Sequence, residues 1–287
     1  MPAESLVDLD RYPLFALGSP RGREVVRAAR EERARRGMAV LPGFLRPEAI
    51  GPLRAECESL AKLGHFSEVQ GTPYIELPPA DLPEDHPRRT FQRTALTAVA
   101  YDLFPADSAL RALYESDVLM DFVRVLLERE RLFRYADPFG ALNLAAMSEG
   151  DELHWHYDQT DFVVSIAIQS SLSGGDFECV PLVRREGDEN YDLVREVLHG
   201  RGGAAVATIP MTPGTLMVFE GRRSLHRVSP IRGARPRYVA LLAYDTKPGT
   251  DSSPLLKRVR YGRLPAAGLA RWRSARASSA RAPTRRT

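Results

Sequence analysis

The sequence is poor in cysteine and has no long apolar segment. Its two cysteines, Cys57 and Cys179, lie far apart, so we expect no disulfide framework and a reducing, cytoplasmic environment. No apolar run reaches the roughly eighteen residues that a membrane-spanning helix requires. Residues 1–15 carry acids and prolines in place of an apolar core segment, so no secretory signal is predicted.

Lysine is also scarce, and arginine supplies nearly all of the positive charge. The formal net charge is +3 at pH 7, yet residues 271–287 alone contain six arginines and no acidic residue. The rest of the chain is therefore close to neutral, which gives no basis for nucleic-acid binding. Residues 267–287 contain few large apolar side chains, and we expect them to form a disordered, arginine-rich tail.

Helical patterns occupy much of the chain up to about residue 130. The charged segment 23–36 ends at Gly37, a usual helix stop, and apolar side chains recur at helical spacing in segments 47–63 and 106–129. Residues 38–44 have the composition of a strand. Residues 71–89 are rich in proline and acid, and they predict a long loop of the kind that often covers a binding site.

From about residue 131 to residue 250 the apolar pattern changes to a period of two. One helix over residues 191–198, capped by Asn190 or Asp188, interrupts nine predicted strands. The strands cover residues 132–135, 141–147, 152–156, 162–171, 176–181, 204–209, 215–220, 225–231 and 237–244. Many short strands favour a sandwich or barrel. The predicted fold is α+β and mainly β, with N-terminal helices packed on a β-core, in one domain of residues 1–266.

The motif with the clearest chemistry is His156-Tyr157-Asp158, which is followed far along the chain by His226. In a strand, residues i and i+2 point to the same face, so His156 and Asp158 project together, and a third ligand has to come from a distant strand. Two imidazoles and one carboxylate match the facial triad of mononuclear non-haem Fe(II) enzymes, which leaves coordination positions open. The absence of a thiolate argues against structural zinc.

The spacing alone is compatible with other arrangements. His154 and His156 are also two residues apart, as at the two-histidine start of a cupin. An isolated His-x-Asp triplet is often a surface polar pair without a ligand. A further alternative to an enzyme is a non-catalytic, metal-binding β-barrel that acts as a sensor or interaction module.

The residues around the motif resemble the double-stranded β-helix (jelly-roll, cupin-like) core of Fe(II)/2-oxoglutarate-dependent oxygenases. The similarity lies in the segments ALN at 141–143, GDELHWHYD at 150–158, GGDFE at 174–178, PGTLMVF at 213–219 and LHRVSP at 225–230. More narrowly, GDENYD at 187–192 and AYDTKPG at 243–249 resemble a bacterial branch. That branch contains oxygenases and radical halogenases that act on free amino acids, often in natural-product pathways.

The resemblance implies an enzyme that uses Fe(II), 2-oxoglutarate and O2, with His156, Asp158 and His226 as iron ligands. Halogenases of the branch have Gly or Ala at the position of Asp158, where chloride binds. The carboxylate therefore implies hydroxylation, or desaturation or cyclisation on the same iron, in place of chlorination. The implied substrate is a small molecule, a free amino acid or an amino-acid-derived intermediate, oxidised at an unactivated C–H with release of succinate and CO2.

Further site residues follow from the same resemblance. Arg237 fits the arginine that pairs with the distal carboxylate of 2-oxoglutarate, with Arg235 as the alternative, and Asn143 is a candidate hydrogen-bond donor to the cosubstrate.

A free amino acid presents a carboxylate and an ammonium group, so an arginine and an acid are expected to hold it. Arg93 is the candidate for the carboxylate and Asp137 for the ammonium group. His154 and Gln159, on either side of the ligand triplet, are further candidate substrate contacts.

Overall fold

The computed structural model of the protein describes residues 3–265. Within that range the helices are α1 (Pro20–Arg36), α2 (Pro47–Ala61), α3 (Ala109–Glu115), α4 (Asp117–Leu126), α5 (Tyr191–Leu198) and α6 (Pro254–Tyr261). The strands are β1 (Met38–Leu41), β2 (His65–Gly71), β3 (Gln92–Val99), β4 (Phe133–Arg134), β5 (Leu142–Met147), β6 (Leu153–His156), β7 (Val163–Gln169), β8 (Ser173–Gly174), β9 (Phe177–Val180), β10 (Ala207–Ile209), β11 (Leu216–Phe219), β12 (Leu225–Val228), β13 (Ile231–Arg232), β14 (Arg237–Leu242) and β15 (Tyr244–Asp245). The predicted tail, residues 267–287, lies outside the described residues.

Two antiparallel sheets form the β-core. The larger sheet has the order β1-β11-β7-β14-β5-β3-β2, and the smaller one has the order β10-β9-β12-β6. Two short pairs, β13 with β8 and β15 with β4, accompany them. Most neighbouring strands are distant in sequence, so the chain crosses repeatedly between the sheets, as in a jelly roll. This confirms the double-stranded β-helix predicted from the sequence.

Alternate side chains of the strands fill the space between the two sheets. Met217 and Phe219 of β11 share one buried cluster with Phe177 of the smaller sheet, because alternate residues of a strand point to the same face. The rings of Phe177 and Phe219 meet edge to face at a centroid distance of 5.2 Å. Leu216 and Val218, which alternate with them along β11, point the other way into a second cluster. The candidate metal centre adjoins this interior.

The N-terminal helices cover the outer face of the larger sheet, as predicted. Leu53 and Cys57 of α2 and Phe122 of α4 are buried in the same cluster as Leu216 and Val218. Helix α5 covers the smaller sheet, where its Val194 and Val197 pack with Trp155, Val180 and Leu225. Cys57 and Cys179 are both buried and free, in agreement with the expectation of no disulfide between them. Among residues 3–265, no helix is long and apolar enough to cross a membrane.

The single helix predicted over residues 106–129 is wrong. The chain forms α3 and α4 there, because Ser116 adopts an extended conformation between them. Its hydroxyl accepts a hydrogen bond from the backbone N–H of Leu119 at 3.3 Å and caps α4. Strands β2 and β3 and helix α6 were not expected from the sequence, and β2 and β3 extend the larger sheet at one edge.

Helix α6 is fixed to the body of the protein by a buried charge cluster and an apolar anchor. The ammonium group of Lys257 pairs with Asp251 and lies 3.5 Å from the carboxylate of Asp137. Asp137 is 0% exposed, and its side chain also accepts hydrogen bonds from the backbone of Phe139 and Ser252. One turn later, Tyr261 of α6 enters the interior cluster. The helix is therefore held at a defined position beside the β-core.

Candidate metal centre

Three side chains converge at the ends of two paired strands of the smaller sheet. His156 ends β6, His226 lies on β12, and the two residues are register partners. Asp158 follows two residues after His156. Nε2 of His156 lies 3.8 Å from Oδ1 of Asp158, and Nε2 of His226 lies 3.6 Å from Oδ2. One ligand atom from each residue lies within 4.8 Å of the others, so this group could hold a metal ion.

Backbone carbonyl groups orient both imidazoles. Nδ1 of His156 donates to the carbonyl oxygen of His154 at 2.7 Å, and Nδ1 of His226 donates to that of Ser224 at 2.9 Å. The proton on Nδ1 leaves the Nε2 lone pair free on the side of the carboxylate, as in metal-binding histidines. Burial lowers the pKa of His156 well below its ordinary value, so this imidazole is neutral and able to bind a metal.

Asp158 places a buried carboxylate between the two imidazoles. Its Oδ2 atom is inaccessible to solvent and has no hydrogen-bond partner among residues 3–265. Burial raises the pKa of Asp158, and the basic side chains around it only partly offset this effect. A buried carboxylate oxygen without a donor is unfavourable unless a cation lies next to it. A divalent metal bound to Nε2 of both histidines would meet this requirement, so the three residues fit Fe(II).

Gly221 makes the position of Asp158 possible. The backbone N–H of Asp158 donates to the carbonyl oxygen of Gly221 at 3.1 Å. A Cβ atom built on Gly221 would collide with Oδ2 of the same aspartate. The segment between β11 and β12 therefore needs glycine here, because backbone and carboxylate are in direct contact. The sequence reasoning did not single out this residue.

Arg237, the first residue of β14, carries a buried charge. It is 7% exposed, and it donates a hydrogen bond to Sδ of Met147 at 3.9 Å. Burial lowers the pKa of Arg237 to about 10, so the guanidinium remains charged at neutral pH. No carboxylate of residues 3–265 forms a salt bridge with it. The alternative, Arg235, is exposed and donates to the carbonyl oxygen of Ser171 at 2.8 Å. Arg237 is therefore the better placed of the two for a bound carboxylate.

Two polar side chains on neighbouring strands also lack partners in the interior. Asn143 of β5 and Ser165 of β7 are both register partners of Leu241, so they face the same side of the larger sheet. Oδ1 of Asn143 and Oγ of Ser165 are buried and make no hydrogen bond within the described part of the chain. Asn143 was a candidate from the sequence, whereas Ser165 was not. Both could contact a polar molecule bound between the sheets.

His154 is held by other residues and stands apart from the triad. Its Nε2 lies 3.2 Å from the carbonyl oxygen of Thr72, and its Nδ1 contacts the hydroxyl of Thr94. These bonds connect β6 to β3 and to the start of the loop that follows β2. The structure therefore brings His156 together with Asp158 and His226, and it does not pair His154 with His156 as metal ligands.

The charged candidates for substrate binding already have partners. The pairing of β2 with β3 places Arg93 3.1 Å from Glu68, and a bridge between Ala95 and Glu152 places it 3.4 Å from Glu152. Asp137 faces the ammonium group of Lys257, as described above. Neither side chain offers a free charge to a substrate. The expectation that they bind an amino acid has no support in their contacts.

A cavity of ≈ 350 Å³ lies next to Asp158. Gln159 lines it, as do three tyrosines, Tyr74, Tyr157 and Tyr191. The guanidinium of Arg184 lies over the ring of Tyr157 at 4.0 Å. The remaining lining residues come from the loop after β2, from the segment before α5 and from the turn after β11: Glu76, Arg88, Glu189 and Arg222. The long loop predicted from the sequence therefore borders the cavity.

Comparison with known families identifies this arrangement. A family model described as Halogenase D matches residues 22–255, which is most of the chain. The chain belongs to the Halogenase D family. The branch of Fe(II)/2-oxoglutarate oxygenases expected from the sequence is thereby confirmed. The expected cofactors, Fe(II) and 2-oxoglutarate, agree with the His-Asp-His group of this Halogenase D family member.

Solved structures similar to this Halogenase D family member share its fold. AviO1 from Streptomyces viridochromogenes Tue57 is 18% identical, with a TM-score of 0.54, over 79% of this chain and 97% of that one. The carbocyclase SnoK from nogalamycin biosynthesis is 14% identical, with a TM-score of 0.53, over 93% and 96%. The epimerase SnoN, in complex with Fe3+, alpha ketoglutarate and nogalamycin RO, is 15% identical, with a TM-score of 0.51, over 85% and 97%. No curated protein matches the sequence.

The contact between Gly221 and Asp158 predicts the effect of a single methyl group. Gly221→Ala should lower Fe(II) affinity by about 10–100-fold, because the added Cβ displaces the carboxylate. Gly51→Ala is the matched control, since a Cβ at position 51 of α2 meets open space. Anaerobic calorimetric titration with Fe(II) measures the metal affinity of both variants. Unchanged affinity in Gly221→Ala, with an unchanged melting temperature, would show that this contact does not position Asp158.

Proposed function

We propose that this protein hydroxylates an unactivated C–H bond of a small molecule, a free amino acid or an amino-acid-derived intermediate. His156, Asp158 and His226 hold the Fe(II) in this proposal. The observation that carries it is the carboxylate of Asp158, which lies within 4 Å of Nε2 of both histidines. A halogenase needs an open coordination position on the iron for the halide. In this chain the carboxylate of Asp158 takes that position.

Charge and space both favour oxygenation over chlorination. A metal-bound carboxylate adds negative charge to the iron and weakens its attraction for a halide. The carboxylate also occupies the coordination position itself, and the backbone of Gly221 lies directly against it. The chain therefore combines an acidic ligand with a glycine that accommodates it.

When bound, Fe(II) with 2-oxoglutarate and O2 supplies oxidative decarboxylation to succinate and CO2 and oxidation of the substrate C–H. The residues of the chain bind and orient the reactants. Arg237 holds the C5 carboxylate of 2-oxoglutarate, and Asn143 and Ser165 offer hydrogen bonds between the sheets. Phe219 packs edge to face against His226 at 4.8 Å, so one side of the metal site is apolar and excludes water.

The buried charge of Arg237 predicts a selective loss of cosubstrate binding. Arg237→Ala should raise the 2-oxoglutarate Michaelis constant by roughly 30-fold or more, because truncating one partner of a buried charge pair costs about 2–5 kcal/mol. Iron content should be kept, since Arg237 is not among the metal-binding candidates. Steady-state kinetics with Arg235→Ala as the matched control provide the test. A large effect in Arg235→Ala and none in Arg237→Ala would transfer the role to Arg235.

The presence of Asp158 predicts the mass of the product. With chloride in excess over a panel of amino acids, the enzyme should give products that gain one oxygen atom, and mass spectrometry should find no chlorinated product. A product two hydrogens lighter would indicate desaturation or cyclisation on the same iron. A chlorinated major product from the unmodified protein would contradict the proposal.

The variant Asp158→Gly is the converse test of the same proposal. It should lose most activity. Removing the carboxylate opens a coordination position for a halide, but it does not by itself bring the substrate carbon close to that halide. Full retention of hydroxylation in Asp158→Gly would contradict the assignment of Asp158 as a ligand.

A further inference from the structure

Two ion pairs form part of the wall of the cavity beside Asp158. Arg88 lies 2.6 Å from Glu76, and Arg184 lies 2.6 Å from Glu189. A charged group of a substrate would find no free counter-ion in these pairs and would have to break one of them. Breaking such a pair leaves one charge without its partner, which is unfavourable.

The remaining charges of the wall are also matched. Arg222 lies 2.7 Å from Asp161. Asp158 itself binds the metal in the proposed function, so its charge is used there. The cavity therefore offers no free cation and no free anion to the far end of a substrate, and a neutral group is favoured at that position.

Two tyrosine hydroxyls at the same wall have no partner. Tyr157, which is 2% exposed, lies between His156 and Asp158 in the chain, and the half-buried Tyr74 belongs to the loop after β2. Both hydroxyl oxygens are hidden from solvent, and neither has a hydrogen-bond partner among residues 3–265. A phenol can donate and accept a hydrogen bond, and burying it without either is unfavourable. Two such groups at one cavity point to a bound polar group.

The contacts of the two rings leave only their hydroxyls for a ligand. The ring centroids of Tyr74 and Tyr157 lie 5.3 Å apart. The guanidinium of Arg184 lies 4.0 Å from the ring centre of Tyr157 and 5.1 Å from that of Tyr74. Arg184 also donates to the carbonyl oxygen of Arg222 at 3.2 Å, which fixes it in place. Because a cation of the chain already covers these aromatic faces, they are not free to hold an ammonium group.

A strained turn sets the position of Tyr74. The next residue, Ile75, has φ = 53°, a left-handed conformation that β-branched side chains rarely adopt. Its backbone N–H donates to the carbonyl oxygen of Thr72 at 3.1 Å, and the carbonyl oxygen of Pro73 accepts from the backbone N–H of Tyr157 at 2.8 Å. Strained residues persist where surrounding contacts impose them, often at ligand sites. The turn thus holds Tyr74 against the segment that carries the metal ligands.

We propose that Tyr74 and Tyr157 bind a neutral hydrogen-bonding group at the far end of the substrate. The substrate is then an amino acid whose side chain ends in a carboxamide, ureido or hydroxyl group. The proposal rests on the proposed function, since it takes the substrate to be oxidised at the iron beside Asp158. Gln159, a substrate contact expected from the sequence, lines the same cavity. The two tyrosines determine specificity and take no part in binding the metal or 2-oxoglutarate.

The test uses the full chain loaded anaerobically with Fe(II) and 2-oxoglutarate, to which three sets of L-amino acids are added singly. The neutral polar set is glutamine, asparagine and citrulline. The charged set is glutamate, aspartate and lysine, and the apolar set is leucine and norleucine. Near-infrared magnetic circular dichroism reports binding next to the iron, and the visible charge-transfer band reports 2-oxoglutarate.

The variants Tyr74→Phe and Tyr157→Phe each remove one hydroxyl and keep the ring. The matched control is Tyr12→Phe, because the buried Tyr12 donates to the carbonyl oxygen of Pro42 at 2.8 Å and lies in the cluster on the outer face of the larger sheet. The melting temperature of each free protein is measured as well.

At least one neutral polar amino acid should bind the wild type about tenfold or more tightly than any charged or apolar one. In Tyr74→Phe and Tyr157→Phe its half-maximal concentration should rise roughly fivefold or more, with an unchanged 2-oxoglutarate titration. The melting temperature of these two variants should stay the same or rise, because phenylalanine removes a hydroxyl that has no partner. Tyr12→Phe should melt at a lower temperature and keep the wild-type amino-acid preference.

Four results would overturn the role of the two tyrosines. They are a wild type that prefers a charged or apolar amino acid, an unchanged preference in both Tyr74→Phe and Tyr157→Phe, a shift of the 2-oxoglutarate titration in those variants, and a wild type that forms the charge-transfer band but responds to none of the amino acids. A wild type that forms no charge-transfer band would instead refute the proposed function, and the role of the tyrosines with it.

Discussion

The site depends on one buried carboxylate oxygen that no hydrogen-bond donor of the described chain satisfies. Asp158 lies between two imidazoles whose lone pairs also point inward, so the group is unfavourable without a cation and favourable with one. Several features of the fold serve this arrangement. The register of β6 with β12 brings His156 beside His226, carbonyl groups fix both rings, and Gly221 leaves space for the carboxylate.

The arginines around this carboxylate differ in whether an acidic side chain pairs with them. Arginines at the cavity wall are paired with acids, as in Arg184 with Glu189, and they shape the site without attracting an anion strongly. Arg237 lacks such a partner within residues 3–265, and its side chain is buried. A reaction that uses a dicarboxylate cosubstrate needs such a charge. The comparison between paired and unpaired guanidinium groups is therefore more informative than the number of arginines.

Sequence patterns predicted the β-core, the helix Tyr191–Leu198 and the pairing of His156 with Asp158, because strand periodicity and i, i+2 geometry are local properties. His226 is distant in sequence, and its place in the group was implied by the family resemblance. Features that depend on distant contacts were missed. Strands β2 and β3 show no clear alternation, so the pairing that neutralises Arg93 could not be anticipated. Helix α6 is short, and its Ser-Pro start and Gly262 end were overlooked.

In the proposed function, His156, Asp158 and His226 hold the Fe(II) to which 2-oxoglutarate binds. Anaerobic titration of the apoprotein with Fe(II) and 2-oxoglutarate tests it most directly, through the visible charge-transfer band of their complex. The band should form in the wild type and in His154→Ala, whose imidazole is engaged by Thr72 and Thr94, and it should be lost in His226→Ala. A band that survives in His226→Ala and disappears in His154→Ala would contradict this set of ligands.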